Sequence, residues 1–267
     1  MERIKVLVSG ACGRMGREVI KAVVKDEGLQ LVAAVDKINV GKDIGIIAGL
    51  ETLGVTIGDD LNERIVKDKP QVMVDFTTPA LVMENLRTGL KAGVHVVVGT
   101  TGISPADLRE IEELCDNYQT NALVAPNFAI GALLMMRCAA ISAQYFSQVE
   151  IIELHHDQKL DAPSGTSIKT AEMILANRVG PSHPEIGEEK IKGARGGEID
   201  GIRLHSVRLP GLIAHQEVIF GSEGQTLTIR HDSLSRESFM PGVILGIKKV
   251  IENQGLTYGL DHFLFKD

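Results

Sequence analysis

The sequence predicts an α/β chain in two parts, and three observations predict it. From Ile4 to Ala125, β-branched apolar runs alternate with segments of helical periodicity, the pattern of a parallel sheet covered by helices. A glycine-rich turn, Gly10-Ala11-Cys12-Gly13-Arg14-Met15-Gly16, follows the first run directly. From Ile202 to His231 the order changes, and strand-type runs succeed one another without helices between them, which suggests a second domain on an open sheet.

Ile4 to Ser9 reads as a buried strand, and the helix after the glycine turn carries Val19, Ile20, Val23 and Val24 on one stripe. A second strand, Leu29 to Val35, ends in Asp36, 20 residues after Gly16. Strand, glycine turn, helix, strand and acid at about that spacing form the dinucleotide-binding arrangement. Glycine lets the backbone approach a pyrophosphate, the helix N-terminus stabilises its charge, and the acid accepts from ribose hydroxyls. The spacing here is Gly-x-x-Gly-x-x-Gly instead of the commoner Gly-x-Gly-x-x-Gly. Cys12 reads as a small residue in the turn. Lys37, beside Asp36, supplies an ammonium that would attract the 2′-phosphate a lone carboxylate repels, so both cofactor types are expected.

Val40 to Thr56 is punctuated by glycine and reads as a surface excursion. Strands are expected at Val72–Phe76, Val94–Val98 and Ala122–Ala125, with a helix from Thr77-Thr78-Pro79 and another capped at Ser104 with Pro105 and Asp107 behind it. Asp75-Phe76-Thr77, Gly99-Thr100-Thr101-Gly102 and Ala125-Pro126-Asn127 fall at carboxyl ends of strands, where open α/β sheets bind ligands. A helix is expected over Ala129–Gln144. Arg178 to Gly201, with Gly187, Gly193, Gly196 and Gly197, reads as a long loop, and Leu234 to Asn253 as the last long helix, capped by Asp232 or Ser233. Ile202–Val207, Glu217–Phe220 and Thr226–His231 are expected to be antiparallel strands. His231-Asp232-Ser233 forms no triad by adjacency.

Between the two parts lies Glu150 to Thr166. Val149, Ile151, Ile152 and Leu154 make a strand that runs into His155, His156 and Lys159. Asp161-Ala162-Pro163-Ser164-Gly165-Thr166 then opens a helix reaching about Asn177. Two imidazoles and an ammonium thus precede a helix start, whose unpaired N–H groups seat anions. Histidine at a strand end is more commonly a solvated side chain, and Pro-Ser-Gly-Thr a plain cap; their convergence within a dozen residues favours chemistry. Adjacent strand residues face opposite sides and no further ligand follows at suitable spacing, so no metal is expected.

The composition, 44% hydrophobic and 24% charged, is that of a soluble globule. A formal charge of −7, no Trp and no basic block exclude a nucleic-acid partner. Cys12, Cys115 and Cys138 are far apart and fit a reducing compartment. Ile4 to Val8 is too short, and carries a Lys, for a secretory signal, and the apolar stretch from Phe128 to Met136 is too short to span a membrane. A cytoplasmic location without membrane association is expected.

Taken together, Val8 to Gly16, Asp75-Phe76-Thr77, Gly99 to Gly102, Ala125 to Phe128 and above all Glu153 to Thr166 closely resemble the 4-hydroxy-tetrahydrodipicolinate reductase (dihydrodipicolinate reductase) family of diaminopimelate and lysine biosynthesis. Echoes continue at Arg208-Leu209-Pro210-Gly211 and Ser235-Arg236. At Thr78 the sequence departs from members that carry a basic residue there. The resemblance implies a Rossmann-like dinucleotide-binding domain, residues 1–126 and 240–267, and an α+β substrate and oligomerisation domain with an open mixed sheet, residues 127–239, building a homotetramer. It implies His155 as proton donor and acceptor and Lys159 as second proton donor. His156, Ser164, Gly165 and Thr166 would hold a dicarboxylate substrate. NADH or NADPH would lie against Gly10, Ala11, Cys12, Gly13, Arg14, Met15, Asp36, Lys37, Phe76, Gly99, Thr100, Thr101, Ala125, Pro126 and Asn127.

The implied chemistry suits the residues. Reduction of a conjugated C=N–C=C system by hydride leaves an enamine-type carbon that needs a proton, which an imidazole or ammonium can give. Three other readings compete: another NAD(P)-dependent amino-acid or imine dehydrogenase, a non-catalytic NAD(P)H-sensing regulator, and an oligomerising α/β protein that binds no nucleotide.

Overall fold

A computed structural model describes residues 2–180 and 188–265. The chain divides into two compact units, Met1–Phe128 with Phe239–Asp267, and Ala129–Ser238.

The first unit opens with β1 (Ile4–Ser9), α1 (Arg14–Lys25) and β2 (Leu29–Val35), then α2 (Ile44–Ala48), β3 (Ile57–Gly58) and α3 (Leu61–Asp68). β4 (Val72–Asp75), α4 (Val82–Lys91), β5 (His95–Val98), α5 (Pro105–Tyr118) and β6 (Ala122–Val124) follow. The second unit holds α6 (Ile130–Ser142), β7 (Gln148–His155), α7 (Gly165–Asn177), β8 (Gly197–Ile199), β9 (Ile202–Arg208), β10 (Ala214–Ser222) and β11 (Gln225–Ser233). The chain returns to the first unit with a 3-10 turn (Arg236–Phe239), α8 (Met240–Val250), β12 (Leu256–Tyr258) and α9 (Asp261–Leu264).

In the first unit, seven parallel strands stand in the order β12-β6-β5-β4-β1-β2-β3. Strands covered by helices on both faces must be apolar throughout, and Val6, Leu7, Val8, Val72, Met73, Val74, Val96, Val97 and Val98 are all fully buried. The order reverses between β1 and β4, which makes their carboxyl ends the switch point where open sheets take ligands. This is the Rossmann-like architecture.

In the second unit, five strands stand in the order β11-β10-β7-β9-β8 and form a mixed sheet. β10 is antiparallel to both β7 and β11, whereas β9 lies parallel to β7. The expectation of antiparallel strands therefore holds for β9 against β8 but fails for β9 against β7: the chain crosses over through α7 before that pairing, and such a connection returns the strand in the same direction.

Three boundaries differ from expectation. The excursion after β2 is organised by Asp43, whose carboxylate accepts from the N–H groups of Gly45, Leu53 and Gly54 and so seats α2. α4 begins at Val82, beyond the Thr77-Thr78-Pro79 turn. The last long helix begins at Met240 because β11 continues to Ser233, its polar end held by pairing with Ala214 and His215. The predicted loop from Arg178 to Gly201 contains β8, held extended by pairing with β9, and part of it, including Gly187, lies outside the described residues.

Candidate functional site

In the first unit, five loops leave the carboxyl ends of adjacent parallel strands. The turn after β1 is shaped by glycine at close quarters. Gly10 sits at φ +76°, and a Cβ there would fall 2.5 Å from the Phe76 carbonyl oxygen; one at Gly16 would fall 2.1 Å from that of Gly10. The turn is fastened by Gly10 and Ala11 N–H to the Val35 carbonyl, at 3.0 and 3.2 Å. No side chain caps α1, and its first turn holds no acid. A helix start left uncapped and without negative charge fits an anionic group such as a pyrophosphate.

Asp36 accepts from the N–H groups of Cys12 at 2.8 Å and Ile38 at 3.2 Å, so the carboxylate braces the glycine turn from β2. Lys37 donates to the Asp59 carbonyl at 2.8 Å. The Cys12 thiol is buried and lies against the Ile38 carbonyl, and burial together with the Asp36 charge pushes its pKa up. That suits an inert turn residue better than a nucleophile.

The loops after β4 and β5 are knotted by Asp75, which is fully buried. One oxygen accepts from Thr77 N–H at 3.0 Å and from the hydroxyls of Thr77 and Thr100 at 2.7 and 2.8 Å; the other accepts from Asn85 at 2.8 Å. Phe76 packs against Phe128 with ring centroids 5.8 Å apart. A Cβ at Gly99 would meet the Phe76 ring at 2.1 Å, so glycine is required there. Ala125 N–H reaches the Val98 carbonyl at 3.0 Å and sets the start of the loop through Pro126 and Asn127. Gly10 to Met15, Asp36, Lys37, Phe76, Gly99 to Thr101 and Ala125 to Asn127 thus all lie at or just beyond the carboxyl ends of the sheet's strands.

In the second unit, β7 alternates so that Val149, Ile151 and Glu153 share its buried side. A carboxylate among apolar residues demands partners. Glu153 takes a forked pair from Arg208 on β9, Nη1 at 2.8 Å and Nη2 at 2.7 Å. Its Oε2 also meets Nδ1 of His155, two residues on along the same face of β7. Burial pushes the Glu153 carboxyl up, but the bonds from Arg208, Ser206 and His155 outweigh it and hold the group below its usual range. Burial pushes the His155 pKa down, and this exceeds the opposing pull of Glu153; the charges of Lys159 and Arg208 act with burial.

Lys159 donates to Asp161 at 2.7 Å, and the Asp161 carbonyl accepts from Arg208 Nη2 at 2.7 Å. One guanidinium therefore joins the carboxylate beneath His155 to the backbone of the segment that carries Lys159. His156, half-buried, bends the chain by accepting from Lys159 N–H at 3.2 Å.

α7 starts where expected. The Ser164 hydroxyl caps it, accepting from Ser167 N–H at 3.2 Å and meeting the Ser167 hydroxyl at 2.9 Å. Gln216 on β10 takes the Ser167 hydroxyl at 2.8 Å and donates to Thr170 at 2.7 Å. Gln216 stands opposite Glu153 in the β10–β7 ladder, so the floor under α7 adjoins the floor under His155. With Ser164 committed to the cap, the N–H groups of Gly165 and Thr166 make no hydrogen bond among the described residues at this helix start. Among the described residues, no group of three or more His, Cys, Asp or Glu is placed to hold a metal ion, and no helix is long and apolar enough to cross a membrane.

Family comparison decides what this arrangement belongs to. Residues 4–128 match the model described as "Dihydrodipicolinate reductase, N-terminus", and residues 131–264 match "Dihydrodipicolinate reductase, C-terminus". The chain belongs to the dihydrodipicolinate reductase family. It is 53% identical to a 4-hydroxy-tetrahydrodipicolinate reductase of Desulfitobacterium hafniense, covering 99% of this chain and 100% of the relative. It is 52% identical to that of Moorella thermoacetica, with 98% of each covered. Among solved structures, a dipicolinate-bound dihydrodipicolinate reductase from Paenisporosarcina sp. TG-14 superposes with a TM-score of 0.86 at 45% identity, covering 97% of this chain and 99% of that one. An amine dehydrogenase from Mycobacterium smegmatis, 17% identical with a TM-score of 0.66 and covering 95% of this chain and 94% of that one, shares the fold.

Three residues that organise these arrangements were not singled out from sequence. Glu153 had a readable signal, an acid on the buried side of a strand. Asp75 was noted only as a strand end, and Asn85 carried no signal at all, since its partner lies ten residues away across a helix turn.

Proposed function

We propose that the chain reduces 4-hydroxy-tetrahydrodipicolinate to tetrahydrodipicolinate with NADH or NADPH, in diaminopimelate and lysine biosynthesis. The observation that carries this reading is the join at Arg208, which couples the His155–Glu153 pair to the segment holding Lys159. The uncapped α1 start and the Asp36-braced glycine turn would hold the cofactor pyrophosphate and ribose. Phe76, Gly99 to Thr101 and Ala125 to Asn127 would line the nicotinamide end.

The nicotinamide supplies a hydride when bound. The open N–H groups of Gly165 and Thr166 would take one substrate carboxylate at the start of α7, with His156 as a further contact. With Nδ1–H donated to Glu153, His155 presents Nε2 as a base. It would take a proton from the ring carbon between the imine carbon and C4 while Lys159 protonates the departing C4 hydroxyl, giving water and a conjugated imine. Once C4 is reduced, the His155 imidazolium would return its proton to that same carbon, now the enamine-type carbon. Lys159 regains a proton from solvent, so the cycle consumes one hydride and one proton and releases water.

Dipicolinate, named as the ligand of the Paenisporosarcina relative, is a planar dicarboxylate of the size this seat would take. A homotetramer built on the second unit's sheet is supported by β11, an edge strand of nine residues whose outer backbone groups invite pairing with another copy. Three free cysteines favour the cytoplasm.

The test is a coupled assay that generates the substrate from pyruvate and aspartate semialdehyde and follows loss of reduced nicotinamide absorbance. Turnover with either cofactor is expected. Cofactor binding without turnover would favour a sensing regulator, and turnover only on another imine would favour a different dehydrogenase.

A further inference from the structure

We infer that Glu153 is a positioning residue for the proton chemistry of His155, with Arg208 as the clamp that keeps its carboxylate aimed. The inference rests on the proposed role of His155 and assigns the parts beneath it. Glu153 is wholly buried, and its named partners are Arg208, which bonds it twice, Ser206 and His155. Arg208 cannot lose its proton, so the carboxylate beside it stays ionised and acts only as an acceptor.

An ionised acceptor fixes the tautomer of the ring it touches. Nδ1 must carry hydrogen to meet Glu153, so the lone pair of the neutral imidazole resides on Nε2. When Nε2 takes a proton, the same carboxylate stabilises the imidazolium. Among the described residues, the charged groups that act on the ring are Glu153 on its own strand, Arg208 on β9 and Lys159 in the loop that follows, with uncharged Ala214 opposite on β10. The two cations disfavour imidazolium, and Glu153 opposes them. Structure alone would not need this. A buried acid two residues before a catalytic imidazole, forked to an arginine in register with that imidazole, does three things at once: it orients the ring, selects its tautomer and supports its charged form.

Two measurements test it. In wild-type protein labelled with ¹⁵N-histidine, spectra of the eight histidines, assigned for His155 by the spectrum of His155→Gln, should show His155 at neutral pH with hydrogen on Nδ1 and a bare Nε2. In the coupled assay, Glu153→Gln should lose about 10- to 1000-fold in kcat, the range for a positioned proton-transfer group, with KM changed less than kcat. Its acid limb should move to lower pH by about 1 unit or more, the usual effect of removing an opposite charge. An Nε2–H tautomer in the wild type overturns the inference, even if Glu153→Gln fails to fold. A Glu153→Gln enzyme with the wild-type pH profile overturns it as well. A wild-type enzyme inactive in the coupled assay removes the catalytic reading beneath it, while the tautomer spectrum still decides whether the pairing exists.

Discussion

Gly165→Ala separates a ligand's needs from the fold's. Gly165 is the first residue of α7, has ordinary helical backbone, and a Cβ built on it meets nothing within 4 Å. The protein's own packing therefore gives no reason for glycine there. Alanine is the better helix former and restricts the unfolded chain, so the substitution should stabilise by about 0.4–1 kcal/mol. If a substrate carboxylate rests on the Gly165 and Thr166 N–H groups, the new methyl stands where it must approach. Losing one charge-assisted hydrogen bond costs about 1.5–3 kcal/mol, equivalent to about a 10- to 150-fold rise in KM for the dicarboxylate substrate. Thermal unfolding followed by circular dichroism gives the first quantity. The coupled assay at saturating cofactor gives the second, and dipicolinate inhibition gives a parallel reading. A raised melting temperature with wild-type substrate KM would refute the seat at α7. A lowered melting temperature would refute the claim that the glycine is unnecessary to the fold.

Other expectations follow from the same geometry. His155→Gln and Lys159→Ala should each lower kcat by about 10- to 1000-fold with cofactor affinity retained; near-wild-type turnover in both would defeat their assignment. Because burial depresses the His155 pKa and the working form at the start of the cycle is neutral, wild-type kcat should hold as pH falls to the ordinary histidine value near 6.5 and decline only below it, through the lowered pKa. An acid limb above that value would contradict the sign. Lys37 puts an ammonium beside Asp36, so Lys37→Ala should raise KM for NADPH more than for NADH; equal effects on both cofactors would remove it from cofactor choice.

How much could be read in the sequence depended on range. The glycine turn and Asp36 were legible because their constraint is local: a positive φ, a helix start and a fixed spacing. β7 and α7 were legible for the same reason, one by alternation and the other by its serine cap and glycine. What escaped was pairing at a distance. Arg208 reaches Glu153 across 55 residues, and Gln216 reaches Ser167 across 49. Neither can be paired from sequence because only the mixed sheet sets β9 and β10 on either side of β7. The end of β11 was misread for a related reason: Asp232 and Ser233 have the composition of a helix cap, but the ladder to β10 holds them extended. The Asp43 hub was hidden inside a run of glycines, where backbone N–H groups converge on one carboxylate without any hydrophobic signal.

The central proposal is that the His155–Lys159 segment and the start of α7 work on a dicarboxylate presented to a nicotinamide held by the glycine turn. A crystal structure with reduced cofactor and dipicolinate tests it most directly. It should place one carboxylate about 3 Å from the Gly165 and Thr166 N–H groups, with the ring about 3–3.5 Å from the nicotinamide and His155 Nε2 turned toward it. Dipicolinate bound away from α7, or a nicotinamide remote from His155 and Lys159, would contradict the account.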